Sequence, residues 1–226
     1  MKILSTILAF YLSISSLFCH QIDITTMSIG DDYQVFTYPC YENKKAYCEK
    51  HGYNFHYYTE SKDLSKPIPW TKVKIIQELF QDPNIEWVFW TDADSLIMNP
   101  DIRLESFIDR RYDMIVASDF NDINTGQFFI RNCKWSRDFL ERVYTNEGFI
   151  DHGWWEQDSF IDLYYNNKKD RRHIKILSQR CMNSYDPDTF SDKKIAWKSG
   201  DFIIHFAGIK GQKLINLILK YSQMTK

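Results

Sequence analysis

Two aspartates separated by one residue follow an apolar run near the middle of the chain. The stretch reads NIEWVFWTDADSLIMNP, with Asp92 and Asp94 at its centre. Carboxylates this close repel each other, and a divalent cation bound between them removes the repulsion. Hard carboxylate oxygens suit Mg²⁺ or Mn²⁺, usually together with water and substrate phosphates. The pair therefore predicts a metal site, with two solvated carboxylates in a turn as the alternative.

The segments around this pair alternate between strand-like and helix-like patterns. Strands are predicted over residues 22–28, 53–59, 86–91, 113–118, 126–132, 173–177 and 201–208. Helices are predicted over residues 38–52, 71–80, 133–144, 156–167 and 211–223. This alternation favours βαβ units and an α/β fold whose mostly parallel central sheet is flanked by helices. Such sheets bind ligands at the carboxyl ends of their strands, where Asp92 and Asp94 stand.

The composition is that of an ordinary globular domain. The chain has 226 residues, of which 44% are hydrophobic and 26% are charged, and its net charge is −2. One domain over residues 22–226 is expected at this length, and the charge gives no reason to expect nucleic acid as a partner. The spacing of Cys40, Cys48, Cys133 and Cys181 argues against zinc, and leaves one disulfide or four buried thiols open.

The first 19 residues have the pattern of a targeting segment. Lys2 precedes the apolar run ILSTILAFYLSISSLF, which ends near Cys19. This pattern is typical of a secretory signal peptide, and an uncleaved signal-anchor is the alternative because the cleavage site lacks small residues. The domain is therefore expected in the ER or Golgi lumen or outside the cell. Membrane attachment, as a single-pass type II protein, is expected only if the anchor stays uncleaved.

Two enzyme classes place a D-x-D pair directly after an apolar strand. In haloacid-dehalogenase-like phosphatases the pair usually follows the first strand of the domain. Here more than one βα unit precedes Asp92, and no later acidic pair of the GDxxxD kind is present. Nucleotide-sugar transferases of the GT-A type instead place the pair after their first βαβ units, and this order matches the chain.

Six segments, in order, resemble the galactosyl/xylosyl/α-1,6-mannosyltransferase family, glycosyltransferase family 34. They are TTMSIGDDY, YCEKHGYNFHYY, PWTKVKIIQELFQDPNIEWVFWTDADSLIMN, INTGQFFIRNCKWSRDFL, WEQDSF and FIIHFAGIKG. The resemblance implies a GT-A fold, which is a Rossmann-like nucleotide-diphospho-sugar transferase fold. It also implies metal-dependent, retaining transfer of a hexose or pentose from a UDP- or GDP-sugar to a glycan or glycoconjugate acceptor.

The same resemblance implies roles for individual residues. From the residues alone His205 is more often a core histidine, whereas the resemblance implies that it is the third metal ligand beside Asp92 and Asp94. An imidazole ligand favours Mn²⁺, with Mg²⁺ as the alternative. The implied nucleotide contacts are Thr26, Met27, Asp32, Asp92, Ala93, Gly208 and Lys210. The implied sugar contacts are Asn124, Thr125, Glu156, Gln157 and Asp158.

Three of these residues are expected to be catalytic. Lys210 would neutralise the departing nucleoside diphosphate, and Gln157 and Asp158 would lie near the anomeric carbon. Their order here is Glu-Gln-Asp instead of the family's commoner Asp-Asp-Gln or Glu-Asp-Gln, so the side chain nearest that carbon stays open. Trp70 and Lys72 are placed on the donor or acceptor side.

Several alternatives remain open from the sequence. Retention of anomeric configuration is compatible with a double displacement through a carboxylate nucleophile. It is equally compatible with a front-face route in which the leaving phosphate deprotonates the acceptor. A catalytically inactive GT-A-like protein that binds sugar or serves as a scaffold is the non-enzyme alternative. The sequence assigns neither the donor, the acceptor nor the oligomeric state.

Overall fold

The computed structural model describes residues 21–225, so the predicted targeting segment lies outside the described residues. The strands are β1 (Ile22–Met27), β2 (Phe55–Tyr58), β3 (Trp87–Thr91), β4 (Ser95–Ile97), β5 (Met114–Asp119), β6 (Asp122–Arg131), β7 (Ile174–Leu177) and β8 (Ile203–His205). The helices are α1 (Asp31–His51), α2 (Thr71–Leu79), α3 (Lys134–Tyr144), α4 (Glu156–Asn166), α5 (Lys168–Arg171) and α6 (Gly211–Ser222). Short 3₁₀ turns cover Ile68–Trp70, Leu104–Phe107, Glu147–Phe149 and Gln179–Cys181.

The main sheet has six strands in the order β2-β1-β3-β6-β5-β7. Five strands are parallel and β6 runs against both of its neighbours, so the mostly parallel sheet is confirmed. The direction of β6 follows from its connection, because only Phe120 and Asn121 separate it from β5 and so short a loop joins antiparallel strands. β6 begins four residues before the predicted strand, which places Asn124 and Thr125 inside a strand instead of a preceding turn.

Helix α1 begins at Asp31, seven residues earlier than predicted, and continues through Pro39. The prediction of a turn at residues 29–33 was wrong because Asp31 and Asp32 favour the first turn of a helix. Pro39 lacks the N–H that would close one helical hydrogen bond, and the helix tolerates this loss. The predicted end is confirmed at Gly52, whose left-handed φ of 75° lets its N–H donate to the Cys48 carbonyl.

A second, two-stranded sheet pairs β4 with β8 antiparallel, and β4 was absent from the sequence prediction. Ser95 pairs with His205 in this ladder. Asn43 of α1 holds the ladder in place, because its side chain accepts from the Ile97 N–H at 2.7 Å and donates to the Ile97 carbonyl at 3.0 Å. Pairing β8 with the strand that follows the aspartates brings His205 beside them.

Both faces of the main sheet are buried, as β3 illustrates. Val88 and Trp90 belong to the core formed with α2, α3 and α4, whereas Trp87 and Phe89 pack on the opposite face. Because successive side chains of a strand point to opposite faces, a fully apolar strand must be covered on both sides. A third cluster joins α1 and α6 to the small sheet.

The four cysteines after the targeting segment are unpaired. Cys40 and Cys48 are buried, whereas Cys133 is partly accessible and Cys181 is exposed. No disulfide joins these four cysteines, and only two of the four, Cys40 and Cys48, are the buried thiols of the alternative. Among the helices of residues 21–225, none is both long enough and apolar enough to cross a membrane.

Candidate active site

Asp92, Asp94 and His205 converge at the end of β3. Their ligand atoms all lie within 4.8 Å of one another. His205 Nε2 is 3.3 Å from Asp94 Oδ1 and 3.8 Å from Asp92 Oδ2. Two carboxylates and one imidazole around a common point form a donor set that suits a divalent metal. Without such an ion, the imidazole is the group that lies between the two carboxylates and offsets their repulsion.

The turn that carries the aspartates is fixed by backbone and side-chain bonds. The Asp92 N–H donates to the Gly126 carbonyl at 2.8 Å, and the Phe206 N–H donates to the Asp94 carbonyl at 3.0 Å. Ser95 Oγ donates to the Asp92 carbonyl at 2.7 Å. The turn is therefore tied to β6 on one side and to the segment after β8 on the other.

Each oxygen of Asp92 has a different environment. Oδ1 accepts from Trp90 Nε1 at 2.7 Å and lies 3.3 Å from Lys72 Nζ. Oδ2 faces His205. The protein thus occupies one carboxylate oxygen and presents the other to the cluster, which fixes the rotamer of Asp92 before any ligand binds.

His205 is oriented by a buried amide. Its Nδ1 lies 2.7 Å from Asn183 Oδ1, and both side chains are buried. Because an amide oxygen can only accept, Nδ1 carries the hydrogen, and the lone pair of the neutral ring lies on Nε2, which faces the aspartates. Ligand histidines in proteins are commonly held by such a hydrogen bond on the other ring nitrogen. The residues present therefore fit a metal ion.

The charge of His205 also bears on Asp94. Burial would raise the pKa of Asp94, but the charge and hydrogen bond of a protonated His205, together with a backbone hydrogen bond and Lys44, outweigh burial and hold that pKa below its usual value. The carboxylate is therefore ionised and available as a ligand. A proton on Nε2 and a divalent cation would occupy the same position between the side chains.

Gly126 permits this close packing. A Cβ at this position would overlap His205 Cε1, and it would lie 2.9 Å from Asn124 Oδ1 and 3.0 Å from Asp92 Oδ2. Any larger residue would displace two members of the metal cluster. A glycine inside a strand often marks such a close approach.

A fully buried lysine lies behind the Asp94 turn. Lys44 of α1 donates from Nζ to the Ser95 carbonyl at 2.6 Å. Burial lowers the pKa of Lys44, and neighbouring acids, Asp94 and Asp92 among them, oppose the lowering. This lysine links α1 to the first residue of β4, directly behind the aspartates.

A buried ion pair borders the other side of the cluster. Lys72 Nζ donates to Glu156 Oε1 at 2.8 Å and to the Thr125 carbonyl at 2.9 Å. Burial alone would lower the pKa of Lys72, but Asp92 and then Glu156 raise it, so the lysine stays charged. Burial raises the pKa of Glu156, with Lys72 opposing. Glu156 Oε2 is buried without a hydrogen-bond partner, and Glu156 lines the cavity described next.

A cavity of about 940 Å³ joins these side chains to the loops above them. Its volume is in the range of small-molecule sites. The residues with predicted roles that line it are Met27, Asp32, Lys72, Asp92, Ala93, Asp94, Asn124, Thr125, Glu156, Gln157, His205, Gly208 and Lys210. The structure thus brings thirteen of the sixteen into one cavity, although their chemical roles stay predictions.

Three predicted residues lie elsewhere. Thr26 is buried in β1, and Trp70 is buried with Nε1 donating to the Ile150 carbonyl at 3.3 Å. Asp158 is also buried, and its carboxylate pairs with His152 Nδ1 and accepts from the Trp154 N–H at 3.1 Å. None of these three side chains lines the cavity.

Lys210 lines the same cavity from a different element than Gln157. It is exposed at the start of α6, and among residues 21–225 it has no hydrogen-bond or ion-pair partner. Gly208 and Gly211 beside it have φ angles of 73° and 59°. Left-handed backbone at both glycines lets this loop curve into the cavity wall without a side-chain clash.

The polar groups near Gln157 are partly satisfied by the protein. Gln157 Oε1 accepts from the Thr125 N–H at 3.0 Å, which leaves its amide NH₂ free to donate. Asn124 Nδ2 donates to Asp119 Oδ2 at 2.8 Å, and Tyr185 OH donates to the same oxygen at 2.7 Å. These residues can offer fixed donors and acceptors to the hydroxyls of a sugar.

Several site residues were missed by sequence reasoning. Trp90 could have been predicted, because it stands two residues before Asp92, and side chains two residues apart in a strand point to the same face. Gly126 could also have been predicted, as a glycine interrupting an apolar strand. Asn183 and Tyr185 could not, because they lie in an irregular segment that only the β8 pairing brings to the cluster.

Trp155 adopts a backbone conformation that side chains rarely adopt. Its φ is 50° and its ψ is −123°, immediately before α4 begins. Such a conformation costs on the order of 1–3 kcal/mol in a residue other than glycine and occurs often at functional sites. Trp154 and Trp155 both line the cavity and are exposed.

A known protein family matches nearly the whole chain. The model of the galactosyl transferase GMA12/MNN10 family matches residues 20–111 and 108–214. An alpha-1,2-galactosyltransferase of Schizosaccharomyces pombe is 28% identical over 225 residues, covering 81% of this chain. A probable alpha-1,6-mannosyltransferase MNN10 of Saccharomyces cerevisiae is 29% identical over 213 residues, covering 74% of this chain. The chain spans only 59% and 54% of the length of these two relatives.

A solved structure supports the fold independently. The crystal structure of a glycosyltransferase involved in the glycosylation of the major capsid of PBCV-1 aligns with a TM-score of 0.69. The alignment covers 88% of this chain and 99% of that chain at 19% identity. At this identity the likeness shows the fold alone, and the GT-A fold expected from the sequence is confirmed.

Proposed function

The chain belongs to the galactosyl transferase GMA12/MNN10 family, and on that premise we propose that it is a metal-dependent, retaining glycosyltransferase. Its donor is a UDP- or GDP-linked hexose or pentose, and its acceptor is a glycan or glycoconjugate. The observation that carries this proposal is the convergence of Asp92, Asp94 and His205 within 4.8 Å of one another on the wall of a cavity.

Asp92, Asp94 and His205 would hold the metal, with Mn²⁺ favoured by the imidazole ligand and Mg²⁺ as the alternative. When bound, such an ion supplies positive charge to the diphosphate as the sugar–phosphate bond breaks. Lys210 would add a second charge from the opposite wall. Its exposure and its lack of a protein partner support this role, because a lysine at a helix N-terminus is poorly placed unless an anion binds there.

The sugar would lie between the metal end and the start of α4. Glu156 supports this placement because its Oε2 is buried, has no partner and belongs to a residue of the cavity wall. Gln157 offers a free amide NH₂ beside it. A fixed carboxylate oxygen at the ring stabilises the positive charge that develops on the sugar, and the Gln157 amide can donate to a sugar hydroxyl.

The polar partners of these residues bear on how the configuration is retained. Glu156 Oε1 is engaged by Lys72, and Asp158 is engaged by His152 and Trp154. Asp158 also lies outside the cavity lining, so it is not placed as a nucleophile, whereas Glu156 keeps an unpartnered Oε2 in the cavity wall. A double displacement would therefore run through Glu156, and in the front-face route the leaving phosphate accepts the proton of the acceptor hydroxyl. Glu156→Gln separates the two routes, because a double displacement through Glu156 would lose turnover entirely, whereas a front-face route would keep part of it.

Thermal denaturation with UDP and with GDP, each with Mn²⁺ and with a chelator, tests the proposed function. A ligand at a hundredfold excess over its dissociation constant stabilises a protein by about 2.7 kcal/mol. We expect one nucleotide to raise the melting temperature only when Mn²⁺ is present. Asp94→Asn should lose that shift. No shift with either nucleotide and Mn²⁺ would reject the transferase and leave the inactive sugar-binding or scaffold alternative.

We further propose that the reaction takes place in the secretory pathway. The support is the apolar segment of residues 1–19, which has the pattern of a signal peptide or signal-anchor. Protease protection of microsomes would measure this. A chain that is fully digested without detergent would contradict a luminal domain.

A further inference from the structure

The cavity carries an unusual share of the exposed aromatic side chains. Of the five exposed aromatics among residues 21–225, Phe120, Trp154 and Trp155 line it, with exposed fractions of 60%, 45% and 37%. The other two, Tyr38 and Tyr165, do not. Apolar side chains gathered on one open surface mark a binding site more often than scattered ones do.

These aromatics lie beside the residues assigned to the sugar. Trp154 and Trp155 directly precede Glu156 and Gln157, and Phe120 lies in the β5–β6 turn shortly before Asn124. Gly208 and Lys210 instead lie in the segment after β8, so the proposed phosphate contacts and the aromatics belong to different elements. An acceptor hydroxyl must approach the anomeric carbon, so the acceptor is expected to enter past the sugar and not past the diphosphate.

The tryptophan segment is held in one shape. The Trp154 N–H donates to Asp158 Oδ2 at 3.1 Å, and the same carboxylate pairs with His152. The Trp155 N–H donates to the His152 carbonyl at 3.1 Å. These bonds maintain the left-handed backbone of Trp155, and a surface fixed before binding loses little freedom when a ligand binds.

We propose that Phe120, Trp154 and Trp155 form a stacking surface that binds the acceptor glycan through the apolar C–H faces of its pyranose rings. This inference rests on the proposed function and names its acceptor subsite. These aromatic faces and the neighbouring amide of Asn121 suit the C–H faces and hydroxyls of a neutral oligosaccharide. Asp158 is a positioning residue for this surface, which explains its burial outside the cavity lining.

The test uses three variants of the full chain. Trp154→Ala removes an aromatic face. Trp155→Gly removes another and also relieves the left-handed backbone, which offsets part of the packing lost with the side chain. Tyr38→Ala is the matched control, because Tyr38 is an exposed aromatic that does not line the cavity.

Two binding measurements separate the outcomes. Calorimetry measures UDP and GDP affinity in the presence of Mn²⁺, and saturation-transfer NMR measures binding of mannotriose and of cellohexaose to the nucleotide-loaded protein. We expect the wild type and Tyr38→Ala to bind one of these oligosaccharides, and both tryptophan variants to bind it about tenfold more weakly. Nucleotide affinity should change by less than about twofold.

Three results would overturn the stacking surface. The first is oligosaccharide affinity unchanged by both substitutions, and the second is binding of neither oligosaccharide by the wild type. The third is a selective loss of nucleotide affinity, which would make the surface a platform for the base. A melting temperature lowered in Trp155→Gly, with unchanged oligosaccharide binding, would give Trp155 a purely structural role. Failure of the proposed function is distinct, because it appears as absent metal-dependent nucleotide binding in the wild type.

Discussion

The two ends of the cavity are built in different ways. At the metal end, Asp92 is held by Trp90, and His205 is held by Asn183, on the side away from the cluster. At the phosphate end, Lys210 is exposed, and within residues 21–225 no hydrogen bond or ion pair restrains it. One end is fixed by buried partners, whereas the other depends on a glycine-containing loop.

This difference indicates what each end does before a ligand arrives. Ligands held in place lose little freedom when a metal binds, so the metal end is preorganised. Under the proposed function, we expect Lys210 to become ordered only when an anion reaches it. Substitutions at the metal end should therefore change metal affinity, whereas substitutions at the phosphate end should change the rate and leave both the metal site and the fold intact.

Asp94→Asn should have the largest effect. It removes one of the charges that bind the cation, and a metal contributes several kcal/mol of charge stabilisation in such reactions. Donor hydrolysis should fall by roughly a thousandfold. The control is Asp138→Asn, an exposed carboxylate of α3 paired only with Lys134. Equal turnover by Asp94→Asn and the control would remove Asp94 from the site.

Gly126→Ala should weaken metal binding by about a hundredfold, as loss of supporting contacts does in other metal sites. The new methyl group would overlap His205 and approach Asp92 Oδ2 at 3.0 Å. Titration with Mn²⁺ measures the effect. Gly148→Ala is the matched control, since its nearest neighbouring atom would be 3.9 Å away and no change is expected. Undiminished Mn²⁺ affinity in Gly126→Ala would mean that His205 is not needed in its observed position.

Lys210→Ala should lower turnover by about a hundredfold, as removal of a single donor to a developing anion does. Its melting temperature and Mn²⁺ affinity should equal those of the wild type, because Lys210 contacts neither the core nor the cluster. Lys213→Ala, an exposed lysine of the same helix, is the control. If both variants lose the same activity, general surface charge and not a specific phosphate contact is responsible.

Asn183→Ala should have the smallest effect, about a tenfold loss of Mn²⁺ affinity. It removes the acceptor that orients His205 Nδ1 but leaves every ligand in place. Asn183→Asp keeps an acceptor and should restore most of the affinity. An unchanged affinity in the alanine variant would show that packing alone orients the ring.

The sequence predicted most of what local patterns control. The alternation of strands and helices predicted the sheet, and the position of Asp92 and Asp94 after an apolar strand predicted the rim on which they lie. It did not predict β4, because three residues next to a turn carry too short a pattern. Without β4 the pairing between Ser95 and His205 could not be derived, and His205 was predicted as a metal ligand only from resemblance to a family.

Residues held by tertiary contacts were the least predictable. Asp158 was expected to touch the sugar because it belongs to the acidic and amide cluster that opens α4. The structure directs its carboxylate to His152 and the Trp154 N–H, a contact that no spacing rule indicates. Nothing in the sequence indicated the backbone conformation of Trp155 either, because a positive φ at a residue other than glycine is visible only in the structure.

The central claim is that Asp92, Asp94 and His205 hold a divalent cation that contacts the diphosphate of the donor. Anomalous diffraction from crystals grown with Mn²⁺ and UDP or GDP measures this most directly. We expect one manganese peak about 2.0–2.6 Å from Asp92 Oδ2, an Asp94 oxygen and His205 Nε2, with a phosphate oxygen completing the contact. A nucleotide bound in the cavity with no manganese peak at these three atoms would contradict the account.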